Sequence, residues 1–307
     1  MRMALTIPFS GVPLRDLGPL AHAAEEDGYD SLWSAEATEL DGITPLVVAA
    51  QHTERVRLVT GIVSVYTRGP AILAQTAAAL ADVSAGRFVL GLGASSNVIV
   101  EQWNGIPFER PLAKVRETVD ELRRVLAGER GRGGFKLAQP PAEPVPIVLA
   151  ALRDRMLRVA ADVADGAFTN FLPLSGVQKV VDAFGAPQKE LACRFFSLPG
   201  AGEESLPVAK RVFVAYATVP VYAEFFRWLG WGERIEPVLE AWASGERARA
   251  VELAPEELVR EIFLLGPIEA QRERLRAFSD AGIGTAVLAL LWPANRVQEA
   301  FEGFAPR

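Results

Sequence analysis

Little in this sequence is suited to hold a metal, a disulfide or a nucleic acid. A single cysteine, Cys193, stands among 307 residues. That forbids an intramolecular disulfide and leaves no CxxC metal pair, so Cys193 reads as a small buried side chain. The two histidines, His22 and His52, both fall in predicted helices, where packing or surface roles are the ordinary ones. No Lys/Arg-rich run offsets a net charge of -6 and a pI near 5.3, which excludes nucleic acid as a partner. The short basic cluster Glu129-Arg130-Gly131-Arg132 reads as a solvated loop. No stretch reaches the roughly 20 apolar residues of a membrane span. The N-terminus runs from Met1-Arg2 into residues 5–9 without a long apolar core and small-residue cleavage site. The expectation is a soluble cytoplasmic protein that binds neither membrane nor nucleic acid.

Half of the residues are apolar, enough for one large α/β core over residues 1–307. The organising stretch is 55–105, which reads as strand, crossover helix, strand and glycine-rich mouth. An apolar run at 56–59 stops at Thr60-Gly61-Ile62-Val63-Ser64, an alanine-rich helix covers 71–82, and Phe88-Val89-Leu90-Gly91-Leu92 is the continuous run of a strand covered on both faces. Ligands collect at the carboxyl ends of such strands. Those ends are Gly61-Ile62-Val63-Ser64 and Gly93-Ala94-Ser95-Ser96. Further strands are predicted at 3–7, 31–33, 147–150, 166–171, 212–218 and 286–290, with helices between them. The clearest helix carries Leu112, Val115, Val119, Leu122 and Leu126 on one face. The rhythm lapses into aromatic-rich helical segments at about 220–265, a helical insertion between strands seven and eight. Eight βα units predict a parallel eight-stranded TIM barrel, with an open doubly wound sheet as the alternative. Gly91-Leu92-Gly93-Ala94-Ser95-Ser96 lacks the third glycine of a dinucleotide fingerprint and lies in the fourth unit, so that reading is rejected.

The run Gly61-Ile62-Val63-Ser64-Val65-Tyr66-Thr67-Arg68-Gly69-Pro70, followed by Ser84-Ala85-Gly86-Arg87-Phe88-Val89-Leu90-Gly91-Leu92-Gly93, resembles the bacterial luciferase-like superfamily. It is most similar to the branch that uses coenzyme F420, a deazaflavin. Gly28-Tyr29-Asp30-Ser31-Leu32-Trp33, Ala150-Ala151-Leu152-Arg153-Asp154-Arg155-Met156 and Ala164-Asp165-Gly166 extend the resemblance over most of the chain. It implies a barrel with a bulge, and a cis peptide at Gly61-Ile62, against which the cofactor ring rests. Gly61, Ile62, Val63 and Ser64, with Gly93, Ala94, Ser95 and Ser96, would line the cofactor cavity. Ala151, Leu152 and Arg153 would offer backbone N–H groups at a helix start to a phosphate, Arg153 being either a charge-assisted contact or solvated surface. Asn170 would meet the cofactor's polar tail.

The pattern also departs from the family. Where relatives carry an acidic residue followed by histidine, this chain has Glu36-Ala37, and Ser95-Ser96 replaces a frequent glutamate. Glu36 is therefore the candidate for proton transfer, or else a structural carboxylate bonded to loop amides. Asn104 is either a hydrogen-bond donor near the substrate or a turn residue before Gly105. Trp33 and Trp103 are either cofactor-facing or packed. The implied activity is hydride transfer between coenzyme F420 and a small organic substrate in a homodimer. The alternatives are an FMN-dependent monooxygenase and a non-catalytic flavin-binding barrel.

Overall fold

Short aliphatic runs become parallel strands when helices cover one face and a barrel interior the other. In the computed structural model, which describes residues 1–38, 40–200 and 202–306, these strands are β1 (Arg2–Ile7), β2 (Ser31–Ser34), β3 (Arg57–Thr60), β4 (Val63–Ser64), β5 (Phe88–Gly93), β6 (Ile147–Ala150), β7 (Gly166–Asn170), β8 (Glu190–Ser197) and β9 (Thr285–Leu290). They pair in the order β3-β2-β1-β9-β8-β7-β6-β5-β4, and β3 also pairs with β5, so the sheet closes on itself. Since β3 and β4 are one stave broken by a bulge, the barrel has eight staves, the TIM barrel expected from the sequence. Closure excludes the open doubly wound sheet. No helix among the described residues is long and apolar enough to cross a membrane.

Each stave sends one side chain into a separate apolar cluster on the barrel axis: Ala4, Trp33, Val59, Val89, Val148, Phe168, Ala192 and Val287. Trp33 packs on Phe168 with ring centroids 4.7 Å apart and donates its indole N–H to Ser31 Oγ at 2.9 Å. It is therefore core. Because side chains alternate along a strand, the inward residues before this layer face the N-terminal end of the barrel and those after it face the C-terminal mouth. At the N-terminal end, Glu190 accepts from Arg2 at 3.0 Å, Arg57 at 3.3 Å and Thr285 Oγ1 at 2.6 Å, and Arg57 pairs in turn with Asp30.

One predicted strand is corrected. Residues 212–218 lie in and just beyond the helix Leu206–Ala217, and the seventh stave is β8, Glu190–Ser197. Val212-Phe213-Val214 looks like a strand by composition, but Leu206, Ala209, Phe213 and Ala217 bury one helical face. The true strand escaped notice because its inward face carries Glu190 and Arg194, which interrupt the apolar run. Six α-helices then lie between β8 and β9, from Leu206–Ala217 to Ile268–Asp280, so the helical region begins earlier than residue 220. The loop expected between Gly93 and Pro111 contains a short π-helix, Val98–Trp103.

Candidate active site

The third stave bulges at its carboxyl end. Val59 pairs with Val89 and Val63 with Leu92, so this stave advances four residues while its neighbour advances three, and one residue is extra. Thr60 bridges the gap, its hydroxyl donating to Gly91 O at 2.8 Å and accepting from Gly91 N at 2.7 Å. The Gly61–Ile62 peptide is cis, as the resemblance implied. Ile62 packs against the axial cluster.

Glycine permits this close approach. A Cβ on Gly91 would stand 1.7 Å from Thr60 O, and one on Gly61 would stand 2.9 Å from Ser34 O. A Cβ on Gly93 would meet Ile62 Cδ1 at 2.8 Å and Ala150 Cβ at 3.0 Å. Staves three to five therefore present a low wall of small residues, Gly61, Gly93 and Ala150, against which Ile62 packs. The next loop begins with Ser95 in the left-handed region at φ 65°, which turns the chain away from the mouth.

Some predicted site residues are brought to this wall and others are not. Gly61, Ile62 and Gly93 meet there, while Ala94 packs against the outer core. Val63 points outward instead, against the position a Cβ on Gly42 would take, and Ser64 is buried, accepting from Tyr66 N at 3.2 Å. Ser96 starts the π-helix, accepting from Ile99 N at 3.3 Å. Ala151 cannot offer its N–H to a phosphate because it already donates to Phe168 O at 2.9 Å. Arg153 sits at the N-cap of the helix Asp154–Val163 and pairs with Glu224 at 3.3 Å. The free N–H groups of that helix's first turn are thus flanked by an engaged arginine.

Glu36 is held on all sides. Arg68 grips its carboxylate with both guanidinium nitrogens, one contact at 2.6 Å, and Gly42 N donates to it at 3.1 Å. The pairing in turn raises the Arg68 pKa above its ordinary value, outweighing partial burial. The arrangement is that of a carboxylate fixing the loop at the mouth. Asn104 is exposed and donates to Ile99 O at 2.7 Å, closing the turn after the π-helix, and Trp103 is 54 % exposed. His22 and His52 are both exposed; His52 contacts Val48 O at 2.9 Å. His22, Glu25 and Glu26 place ligand atoms within 4.8 Å of one another, but Glu25 already accepts from the backbone N–H groups of Glu54, Arg55 and Val56. Cys193 is fully buried, which pushes its thiol pKa well up and leaves it inert.

Sequence reasoning missed the opposite wall. Asn170 does not project into open space: its Oδ1 accepts from Phe171 N at 3.0 Å and its Nδ2 donates to Tyr222 OH at 3.0 Å. Tyr222 comes from the helix Pro220–Leu229 and joins Phe171 and Tyr216 in an aromatic group, with ring centroids 5.6 and 5.1 Å away. Arg194 stands beside Asn170 as its register partner on β8. Its guanidinium lies 5.0 Å from the Phe196 ring centroid, and its Nε is buried without a hydrogen-bond partner. The period-2 position of Arg194 relative to Ala192 was the available signal, once β8 is recognised as a strand.

Comparison with known proteins agrees with this geometry. The family model of the luciferase-like monooxygenases matches residues 2–285. A Mycobacterium tuberculosis protein named as a candidate coenzyme F420-dependent oxidoreductase is 28% identical, with 97% of each chain covered. Among solved structures, the coenzyme F420-dependent tetrahydromethanopterin reductase of Methanopyrus kandleri superposes with a TM-score of 0.78 at 20% identity, covering 99% of this chain and 97% of that one. The monooxygenase RslO1 of Streptomyces bottropensis gives 0.70 at 21%, covering 99% and 98%. At such identities the two structures establish the shared fold.

Proposed function

The chain belongs to the luciferase-like monooxygenase family, and on that premise we propose that it is an oxidoreductase that uses coenzyme F420 to move a hydride to or from a small organic substrate. The observation that carries this reading is the bulged third stave, which sets Ile62 over the glycine wall and leaves a shallow face for a planar tricycle. The full-length likeness to the mycobacterial protein supports the deazaflavin over a flavin. The residues present fit such a group: Gly61, Gly93 and Ala150 raise no side chain larger than a methyl at this end of staves three to five, and Ile62, packed against Gly93, would press on one ring face. The first-turn N–H groups after Arg153 suit a phosphate of the cofactor's tail.

Coenzyme F420, when bound, supplies the carbon that gives or takes the hydride; the chain's own part is to orient and to exclude water. Ile62 and the glycine wall fix the ring plane. Glu36, Arg68 and Gly42 hold the loop after β2 beside it, so Glu36 acts by positioning that loop, both its oxygens being engaged. On the other side the helix Pro220–Leu229, tied down through Tyr222 and Glu224, covers the mouth over staves five and six.

The test is turnover under two regimes. Reduced coenzyme F420, mixed anaerobically with the protein and a panel of ketones, aldehydes and imines, is expected to regain the absorbance of its oxidised form with at least one class. Oxygen uptake that depends on reduced FMN, with no turnover of the deazaflavin, would transfer the protein to the monooxygenase reading, which the fold shared with RslO1 also accommodates.

A further inference from the structure

Two residues beyond each member of the axial cluster, the inward positions at the mouth are glycine or alanine on the second, third, fourth, fifth and eighth staves. Thr6 stands on β1, Asn170 on β7 and Arg194 on β8. One of these is a cation, and it is unmatched. Among the described residues no carboxylate pairs with Arg194, and its Nε is buried with no acceptor. Thr6 Oγ1, only 8% of whose residue is exposed, is likewise buried without a partner. Tyr222, fixed by Asn170, keeps its proton, because burial holds the phenol well above its usual range even though the charge of Arg194 pulls the other way. Arg194 is only partly buried, yet its Nε has given up water without gaining an acceptor, and that unmet group opposes folding. Such a group is retained where a ligand completes it.

We infer that Arg194 receives a carboxylate of the substrate, which makes the substrate of the proposed oxidoreductase a small organic acid; the inference rests on that functional reading for the identity of the site. The guanidinium fork matches two carboxylate oxygens in one plane. A single charge with no second cation at the inward positions suits a monoanion better than a phosphate, whose second charge would go unanswered. The aromatic side chains Phe196, Phe171 and Tyr216 bound this corner, and they suit a short carbon skeleton rather than a hydrated ion. The ring cradle lies on staves three to five and Arg194 on stave seven, so an acid anchored at Arg194 would reach across the mouth toward the ring.

The test compares wild type with Arg194→Met and Arg194→Lys by calorimetric titration with pyruvate, with inorganic phosphate as the second anion, in the presence and absence of coenzyme F420. Pyruvate is expected to bind wild type, at least tenfold more weakly to Arg194→Met, and with partial recovery in Arg194→Lys. Coenzyme F420 affinity should change less than twofold, and the thermal midpoint of Arg194→Met should hold or rise by about 2–4 °C. Absence of pyruvate binding to wild type in both states overturns the inference. So does a tenfold loss of coenzyme F420 affinity in Arg194→Met, which would assign the arginine to the cofactor. Preference for phosphate, or a falling midpoint with unchanged pyruvate binding, overturns it as well. Arg194-dependent pyruvate binding in a protein that takes up neither F420 nor FMN would sustain the anion site and remove the cofactor reading.

Discussion

The two ends of this barrel treat charge in opposite ways. At the N-terminal end Glu190 gathers Arg2, Arg57 and Thr285, and Arg57 shares a second carboxylate with Asp30. At the C-terminal mouth Arg194, on the same strand and the same face four residues later, meets no anion among the described residues. Strand β8 thus carries one charge satisfied within the fold and one left for something outside it. Paired groups at the bottom of a TIM barrel serve stability, while unpaired groups at the top are available to a ligand.

The contrast can be broken at its bottom half first. Glu190→Gln removes the negative charge shared by two arginines and should destabilise the protein by about 2–3 kcal/mol, somewhat less than a fully buried broken pair because Arg2 reaches solvent. Urea unfolding would measure the loss, and cofactor affinity should be unmoved. An unchanged unfolding midpoint would mean that the N-terminal cluster contributes nothing to stability.

A smaller effect is expected at Glu25, which caps the loop entering β3. Burial alone would raise its pKa, but the backbone N–H groups of Glu54, Val56 and Arg55 outweigh it and hold the carboxyl below the ordinary carboxylate range. A folded pKa below the unfolded value gives stability that is complete above about pH 4.3 and is lost as pH falls through the folded pKa. Glu25→Gln should therefore cost about 1–2 kcal/mol at neutral pH and flatten the acid limb of the stability curve. If the acid limbs of the two proteins coincide, the cap plays no part in acid unfolding.

The same contrast explains what the sequence disclosed. β5 was legible because both of its faces are apolar, from Phe88 to Gly93. The bulge at Gly61 was legible because its residues carry a family's pattern. β8 was not, since Glu190 and Arg194 serve the barrel's two ends rather than its core and so disrupt the periodicity. The run 212–214 misled for the converse reason: β-branched residues form a helix there because tertiary packing of Phe213 and Ala217 outweighs local preference. Glu36 was found, but its partner Arg68 lies 32 residues away and Tyr222 lies 52 residues from Asn170. No local spacing foretells such pairs. Long-range pairing decides which polar side chains are consumed and which remain free.

The account stands most directly on where the cofactor ring rests. Fluorescence titration of coenzyme F420, and separately of FMN, into wild type, Gly93→Val and Glu190→Gln would test it, with thermal melts run alongside. Tighter binding of F420 than FMN by wild type is expected, together with full affinity in the less stable Glu190→Gln and at least a tenfold loss in folded Gly93→Val, whose midpoint also falls because the new side chain crowds Ile62 and Ala150. Undiminished F420 affinity in folded Gly93→Val would contradict the account, because no ring could then lie against that wall.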